Sequence, residues 1–484
     1  MNFSRALKHL PDKYVLKTFP DRGIRVTGAD LRRCSAFYAA WLQSRNYKII
    51  GIHMGNCPEF FYLFAGALRA GVKVRLCNAL REAPGDIPIF DRESAARIAS
   101  EFQSGCGSFQ EYDWMDDEPF IQMTTSGTSG TPKIVEKSIR NYFRTSKALA
   151  KCRLFIHILR AKAYNCSPWY RNTGLFFLIM PLCGFRLTEI TTEKFNPNAM
   201  RLYIRELRPD YLITTPSMLT RCVMSGDMRL PSFIIFTGET LSTEMIARFE
   251  SCGSGQVLLG SYGTTEVGGL AHLLYTFDSV RLSGRLLAGV LQLSGFAKRK
   301  FDKNTLEPHC VGSIAKNADV KILNDGKEAE DGTVGEIWAR TAVMLREIGD
   351  RYYCIGDYGY KRGSLLYYCG RTLNVINRSG EKIVASEIEQ GLSRFEGVCA
   401  VTVFGVPSAT HGEDICAVIE SKNAAPVVDG AMLSEVLPKH MLPQHILFMD
   451  AFPLNAVGKT DISAIRQYAI REIGASSASA DKAL

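Results

Sequence analysis

Two stretches of this chain alternate between helical periodicity and short apolar runs, and that alternation limits the folds open to it. Over residues 29–75, "GADLRRCSAFYAAWLQSRN" has helical spacing, "YKIIGIHM" reads as a strand, "PEFFYLFAGALRAGV" as a second helix and "KVRLCNA" as another strand. The pattern recurs over 211–270. There "YLITT", "FIIFTG" and "VLLGSYG" are strand-like, and "SMLTRCVMS" and "TEMIARFESC" are helical. Strand–helix alternation predicts α/β architecture with a parallel, doubly wound sheet. From about 312 to 368 the texture changes to short β segments, "GSIAKNADVKIL", "VGEIWAR" and "SLLYYCG", punctuated by the turn signals "NDG" and "EDG". This predicts a small β-rich subdomain. After Arg371 a compact α+β stretch follows, with "SEIEQGLSRF" helical and "VCAVTVFGVP" and "DICAVIES" as strands. The expected division is a large N-terminal domain of doubly wound αβ subdomains, residues 1–370, and a smaller C-terminal domain, residues 371–484. The small, polar final residues "GASSASADKAL" are expected to be disordered.

Composition excludes several classes. With 46% hydrophobic and 22% charged residues, the chain is an ordinary soluble globular protein. Its longest apolar run, "GLFFLIMPLCGF" (174–185), is short and broken by Pro181. It predicts a buried core segment and no membrane span. The first residues, "MNFSRALKHLPDKY", lack the apolar stretch of a signal peptide. The 14 cysteines include no Cys-x-x-Cys pair, so they read as reduced thiols of a cytoplasmic protein. The net charge of +9 is uneven. Residues 371–484 hold 10 basic and 13 acidic residues (−3), which leaves 48 basic and 36 acidic (+12) in residues 1–370. A basic body suits an anionic ligand or an acidic partner. With no dense basic tract, nucleic acid is not expected as a partner.

"TTSGTSGTPK" (124–133) is too small and hydroxyl-rich to build a core. Such clusters usually form loops. Its flanks, "EPFIQM" before and "IVEKSIRNYF" after, suggest a strand, a small-residue loop and the start of a helix, with Lys133 at the junction. That arrangement cradles phosphate, because glycines admit the anion and exposed N–H groups point at it. No glycine immediately precedes Lys133, so this is not the P-loop of the NTPases.

Four further stretches accompany it. "GSYGTTEVGG" (260–269) is a glycine-rich turn after a strand. Read alone, Glu266 is a surface carboxylate; facing the phosphate loop, it would hold Mg²⁺. "YYCIGDYGY" (352–360) sets Asp357 in a turn between strands, either as a turn cap or as an acceptor for ribose hydroxyls. In "GRTLNVINRSGEKIVASEIE" (370–389), Gly370–Arg371 looks like a domain junction, and Gly380 would let backbone lie close to a ligand. "FPLNAVGKTD" (452–461) presents Lys459, either solvated or able to enter a site and meet developing negative charge.

In this order the five stretches resemble the adenylate-forming (AMP-binding) superfamily, which comprises acyl-CoA synthetases, non-ribosomal peptide adenylation domains and luciferases. The likeness covers nearly the whole chain. The resemblance implies a carboxylic acid as substrate, ATP and Mg²⁺ as cofactors, and a C-terminal domain that moves as a lid. Thr125, Ser126, Gly127, Thr128, Ser129, Gly130 and Lys133 would hold ATP phosphates, with Tyr262, Gly263 and Gly238 flanking the adenine. Thr265 would touch the α-phosphate, Glu266 the metal, and Asp357 and Arg371 the ribose. Lys459 would bridge the carboxylate and α-phosphate, and Gly380 would line a tunnel for the pantetheine of CoA or of a carrier protein.

Departures from the pattern bear on substrate and hinge. Leu373 stands where Asp or Lys is usual. "PWYRNTG" (168–174) places Trp169, Tyr170 and Arg171 near the acyl pocket, and Gly268 and Gly269 would leave room in it. Trp169 and Tyr170 read equally well as core residues, and Arg171 as solvated. No Asp lies between Pro168 and Phe185 to hold an α-ammonium group, which points away from amino acids. The expected activity is acid–CoA ligation. The alternatives are an acyl- or aryl-acid adenylating enzyme that loads a carrier protein, and a non-catalytic binding protein of the same fold. Retention of Lys133, Glu266, Asp357, Arg371 and Lys459 argues against the last.

Overall fold

The computed structural model describes residues 3–77, 87–100, 108–126, 132–138, 141, 162–183, 187–223, 230–239, 256–276, 297–300, 310–324, 326–371, 375–378, 381–408, 410, 412–421, 430–454 and 460–480. Along the chain come β1 (Val15–Phe19), β2 (Ile24–Thr27), β3 (Ile49–Ile52), β4 (Lys73–Leu76), β5 (Ile89–Phe90), β6 (Pro119–Ser126), β7 (Pro132–Ser138), β8 (Lys162–Asn165), β9 (Thr188–Ile190), β10 (Tyr211–Thr214), β11 (Phe233–Thr237), β12 (Val257–Thr264) and β13 (Gly268–Thr276). Then follow β14 (Ala297–Lys300), β15 (Cys310–Ile314), β16 (Ala318–Asn324), β17 (Lys327–Glu328), β18 (Gly335–Thr341), β19 (Tyr353–Arg362), β20 (Leu365–Arg371), β21 (Val375–Arg378), β22 (Glu381–Val384), β23 (Ala400–Ser408), β24 (Gly412–Glu420) and β25 (His445–Met449). The architecture is mixed α/β, with a large N-terminal sheet domain and a smaller C-terminal domain. Its contacts divide the chain into two compact units. One holds residues 1–320, 338–355 and 364–366; the other holds 321–337, 356–363 and 367–484.

The first unit contains two sheets. One runs in the order β5-β3-β4-β6-β7, parallel except for the antiparallel β7. The other runs β15-β13-β12-β11-β10-β8-β9-β1-β2, with β14 beside β13. In the second sheet β1 and β8 to β12 are parallel, and β12–β13 and β1–β2 are antiparallel hairpins. Both expected alternations therefore form parallel sheets. The helix Gly28–Ser44 starts on a capping box, in which Thr27 and Asp30 satisfy each other's backbone N–H at 3.1 and 3.2 Å. The helix Pro58–Ala70 starts on proline and stops at Gly71, where φ is 74°. These two helices cross closely at Gly66, where a Cβ would stand 2.5 Å from the Cβ of Tyr38. Their apolar faces, with β3, β4 and β6, enclose the larger core.

In the second unit, a strand set ordered β17-β16-β18-β19-β20 contributes the segments that belong to it, and a separate sheet runs β22-β21-β24-β23 with β25 beside β24. Period-two alternation gives β23 and β24 two apolar faces. Val403, Ile415 and Ala417 pack with the helix Ala385–Leu392. Phe404, Cys416 and Val418 pack with Ile465 and Ala469 of the helix Ile462–Ala480.

Three local expectations are corrected. Residues 132–138 form β7, where a helix was expected after Lys133. Ile134 is exposed, Val135 and Lys137 are buried and Glu136 is half-buried, a period of two that suits a strand. Asp357 lies within β19 and not in a turn. The helix Ile462–Ala480 continues through residues 474–480, expected to be disordered; alanine and serine run there without a proline to stop it. The described part of the apolar run, 174–182, is core as expected, with Leu175, Leu178, Ile179 and Leu182 buried. Among the described residues no helix is long and apolar enough to cross a membrane. The expected helix in 243–252 lies outside the described residues.

Candidate active site

The two ends of the phosphate stretch lie on β6 and β7, which pair antiparallel. Thr125 pairs with Lys133, and Ser126 with Pro132, across the antiparallel ladder. The pairing thus brings the two ends of the stretch together, with a strand after Lys133 in place of the expected helix. Gly127, Thr128, Ser129, Gly130, Leu373, Gly380 and Lys459 lie outside the described residues.

A second hairpin, β12–β13, carries the Thr264–Thr265–Glu266 turn. Its ladder shifts register between Tyr262 and Gly263. Glycine is needed at that bulge, because a Cβ on Gly263 would lie 2.1 Å from the Gly268 carbonyl oxygen. Gly268 has φ 81° and Gly238 has φ 78°, both in the left-handed region that favours glycine. The glycine at 268 is thus explained by its backbone, and room in a pocket is not needed to account for it. A Cβ on Gly269 would make only ordinary contacts with the His272 ring, at 3.4 and 3.5 Å. Burial pushes that imidazole down to about 4, so it is neutral near pH 7.

Three successive carbonyls of the turn are held from outside. Lys137 Nζ donates to the Thr265 oxygen. The Leu345 N–H donates to the Glu266 oxygen at 3.0 Å, and Thr341 Oγ1 donates to the Val267 oxygen at 2.5 Å. Asn141 joins the same segments, receiving the Ser138 N–H at 2.7 Å and donating to the carbonyls of Val343 and Met344 at 2.7 and 2.9 Å. The strand that leaves the phosphate stretch is therefore tied directly to the turn that carries Glu266. Burial pulls the Lys137 ammonium down to about 8, while Glu266 and Glu347 act in the opposite direction. A cleft of about 580 Å³ opens beside these segments, lined by Ile134, Glu347, Ile348, Arg351, Tyr352 and Tyr353. Burial, followed by the charges of Glu266, Cys354 and Glu347, holds the Tyr353 phenol above its usual range.

The adenine candidates meet where parallel strands end. Thr237 of β11 is in register with Ser261 of β12, so Gly238 and Tyr262 follow directly after the last residues of the parallel β11–β12 pairing. Open α/β sheets bind ligands at this place. Thr237 also shares a hydrogen bond of 3.0 Å with Thr173. Thr173 lies in the first turn of the helix Asn172–Ile179, just after its N-cap residue Arg171.

The acyl-pocket candidates separate. Trp169 is 0% exposed. Its indole donates to Glu189 at 3.0 Å, and its ring packs edge-on against Phe19 and Phe60 at 5.9 and 5.4 Å. Glu189 also pairs with buried Lys17 and accepts from Asn165 at 2.6 Å. Trp169 is therefore committed to the core, and any open surface of this turn belongs to Tyr170 and Arg171. Both are half-buried, with the guanidinium 5.8 Å from the Tyr170 ring centroid.

In the second unit Asp357 is 4% exposed on β19, directly after Gly356, whose φ is 76°. Arg371 ends β20. Among the described residues no group of three or more His, Cys, Asp or Glu could hold a metal ion. A lone Glu266 nevertheless fits Mg²⁺, which commonly takes one or two protein carboxylates and completes its shell with phosphate oxygens and water.

Sequence reasoning missed Lys137, Asn141, Thr173, Thr237 and Glu347. A signal existed for Lys137. Read as a strand, "PKIVEKS" puts a lysine in the same inward row as Val135, and the helical reading of that stretch hid it.

The profile of the AMP-binding enzyme family matches residues 74–348, and that of the AMP-binding enzyme C-terminal domain matches 387–459. The chain is 24% identical over 363 residues to a 4-chlorobenzoate–CoA ligase of an Arthrobacter species, covering 73% of this chain and just under two thirds (66%) of that one. It is 24% identical over 425 residues to an indoleacetate–CoA ligase of Aromatoleum aromaticum, covering 82% and 77%. The fold is similar to the crystal structure of ATP-bound MatB from Rhodopseudomonas palustris, with a TM-score of 0.79 at 19% identity over 97% of this chain and 99% of that one. The family profile spans more than half of the chain, including both hairpins and the ties between them, and this protein belongs to the AMP-binding enzymes, the adenylate-forming superfamily.

Proposed function

We propose that this protein activates a carboxylic acid with ATP and passes the acyl group to the thiol of CoA. The observation that carries the reading is the tie between the two hairpins, Lys137 on β7 to the carbonyl of Thr265. It sets the turn bearing Thr265 and Glu266 against the strand that carries the phosphate lysine. Relatives acting on chlorobenzoate and indoleacetate support an acyl or aryl acid as substrate.

In the first half-reaction a carboxylate oxygen attacks the α-phosphorus of ATP, the bond to the β-phosphate breaks, and pyrophosphate leaves. In the second, the thiol sulfur attacks the acyl carbonyl, AMP leaves, and the thiol proton passes to solvent. The barrier of the first step is mainly charge on phosphoryl oxygens, so positioned donors and cations suffice. Thr125, Ser126, Thr128, Ser129, Lys133 and the backbone at Gly127 and Gly130 hold the phosphates. Thr265 meets the α-phosphate. Gly238, Tyr262 and Gly263 bound the adenine, while Asp357 accepts from the ribose and Arg371 donates to it. Mg²⁺ held by Glu266 would spread the charge building on the departing pyrophosphate. Lys459 bridges the reacting carboxylate and α-phosphate. A lid comprising 371–484 then turns about Gly370–Arg371, and Gly380 lines the thiol's path. Tyr170 and Arg171 face the acyl group, with Arg171 suited to a second carboxylate on the substrate.

The charge of +12 on residues 1–370 favours one further reading, an acidic carrier protein as acceptor. The test is an ATP-dependent hydroxamate assay without thiol, over aryl, fatty, dicarboxylic and amino acids. We expect signal from one acid class, followed by saturable turnover with CoA. Turnover only with a phosphopantetheinylated carrier would select the further reading, and silence across all four classes would overturn both.

A further inference from the structure

Lys137 takes no part in the chemistry just described, yet its buried ammonium is held against the turn. It lies on β7, four residues beyond Lys133, and is 3% exposed. An ammonium taken out of water costs several kcal/mol unless hydrogen bonds and opposite charges compensate. Part of that compensation comes from the Thr265 carbonyl and from the fields of Glu266 and Glu347.

The hydrogen bond has a specific consequence. The Thr265 carbonyl belongs to the peptide that joins Thr265 to Glu266. Fixing its plane aims the α-phosphate residue and the metal residue together. The next two carbonyls, of Glu266 and Val267, are fixed by neutral donors, so Lys137 is the charged one of the three. Its charge opposes a divalent cation at Glu266, while Glu347, on the segment that lines the cleft, favours one.

We propose that Lys137 is a positioning residue for adenylate formation: its ammonium fixes the Thr265–Glu266 peptide and, together with Glu347, sets how tightly Glu266 holds a divalent cation. This rests on Glu266 being the metal carboxylate of the activity proposed above.

The test uses the full-length protein with ATP and Mn²⁺, the free Mn²⁺ being followed by electron paramagnetic resonance, with pyrophosphate release measured in parallel. Removing a positive charge several ångströms from the cation in a partly screened site is worth roughly three- to tenfold in affinity. Lys137→Met is therefore expected to bind Mn²⁺ that much more tightly and yet release pyrophosphate at least about tenfold more slowly, with the acid KM unchanged. Lys137→Arg keeps both the charge and a donor, and should stay within about twofold of the parent in both measurements. Glu347→Gln, on an exposed segment, should shift the Mn²⁺ midpoint the other way, by roughly two- to fivefold. A purely structural lysine would not produce opposite shifts. An unchanged Mn²⁺ midpoint in Lys137→Met, or identical behaviour of the Met and Arg variants, would overturn the proposal. If Lys137→Met does not fold, Lys137→Arg and Glu347→Gln decide alone, and an unmoved midpoint in Glu347→Gln overturns it. A parent that releases no pyrophosphate with any acid overturns the activity reading, while the Mn²⁺ comparison still decides the role of Lys137.

Discussion

A Cβ on Gly263 would sit 2.1 Å from the Gly268 oxygen and 2.8 Å from the Gly269 Cα, inside the backbone of the opposing strand. Neither strand can yield there without breaking the bulge that orients Tyr262 and the turn after it. Gly263→Ala should cost about 2–3 kcal/mol, as overpacked sites do, and should abolish pyrophosphate release. Gly269→Ala is the matched control. Its new methyl meets only the edge of the His272 ring, and the loss should stay below about 1 kcal/mol. Thermal unfolding of the pair measures both; equal losses would show that the bulge is not what demands glycine at 263.

Among the secondary elements, the helix Ala385–Leu392 carries a carboxylate in an unusual state. Burial raises Glu389 to about 7, against the Val403 N–H, which donates to it at 2.9 Å. A carboxyl raised from its ordinary 4.5 favours the folded state in its neutral form. That contribution is complete below about pH 4.5 and is lost as pH rises through about 7. Glu389→Gln stays neutral and can still accept the Val403 N–H. We expect it to melt higher than the parent above pH 7, by up to about 3 kcal/mol, with the gap closing near pH 4. A gap of the same size at both pH values would mean that ionisation is not its cause. At this scale the sequence was legible where elements obey a period. Both parallel sheets, the helices Gly28–Ser44 and Pro58–Ala70, and the strands β23 and β24 follow from spacing alone. Residues 132–138 were misread because "IVEKS" has too few apolar positions to separate the two periods.

For the molecule as a whole, the proposed activity needs two half-reactions from one chain, and the residues for them divide. Thr265 and Glu266 lie in the first compact unit, and Asp357 and Arg371 in the second. Lys459→Ala should slow adenylate formation by at least about a hundredfold, as loss of a cation from developing charge does, and leave the melting temperature within a degree or two. A variant forming adenylate at the parent rate would remove Lys459 from the mechanism. Leu373→Asp restores a polar residue at the proposed hinge. It should leave hydroxamate formation within about twofold and change thiol transfer by a larger factor, because hinge residues govern closure and not the first chemical step. Equal effects on both steps would argue against a hinge there.

The sequence by itself determined the order of the five motifs, the α/β class and the family. Each of these is carried by residues close together in the chain, where spacing and turn chemistry act directly. The tertiary structure decided what a buried group is buried against. Trp169 could be pocket or core until Glu189, 20 residues away, accepted the hydrogen bond of its indole N–H. Asp357 read as a turn residue until β19 enclosed it. Lys137 was unremarked until its ammonium met the carbonyl of Thr265, 128 residues further on. Local periodicity shows only which way a side chain faces. The partner that compensates a buried charge comes from a distant part of the chain, and its identity is fixed by how the strands and turns fold together.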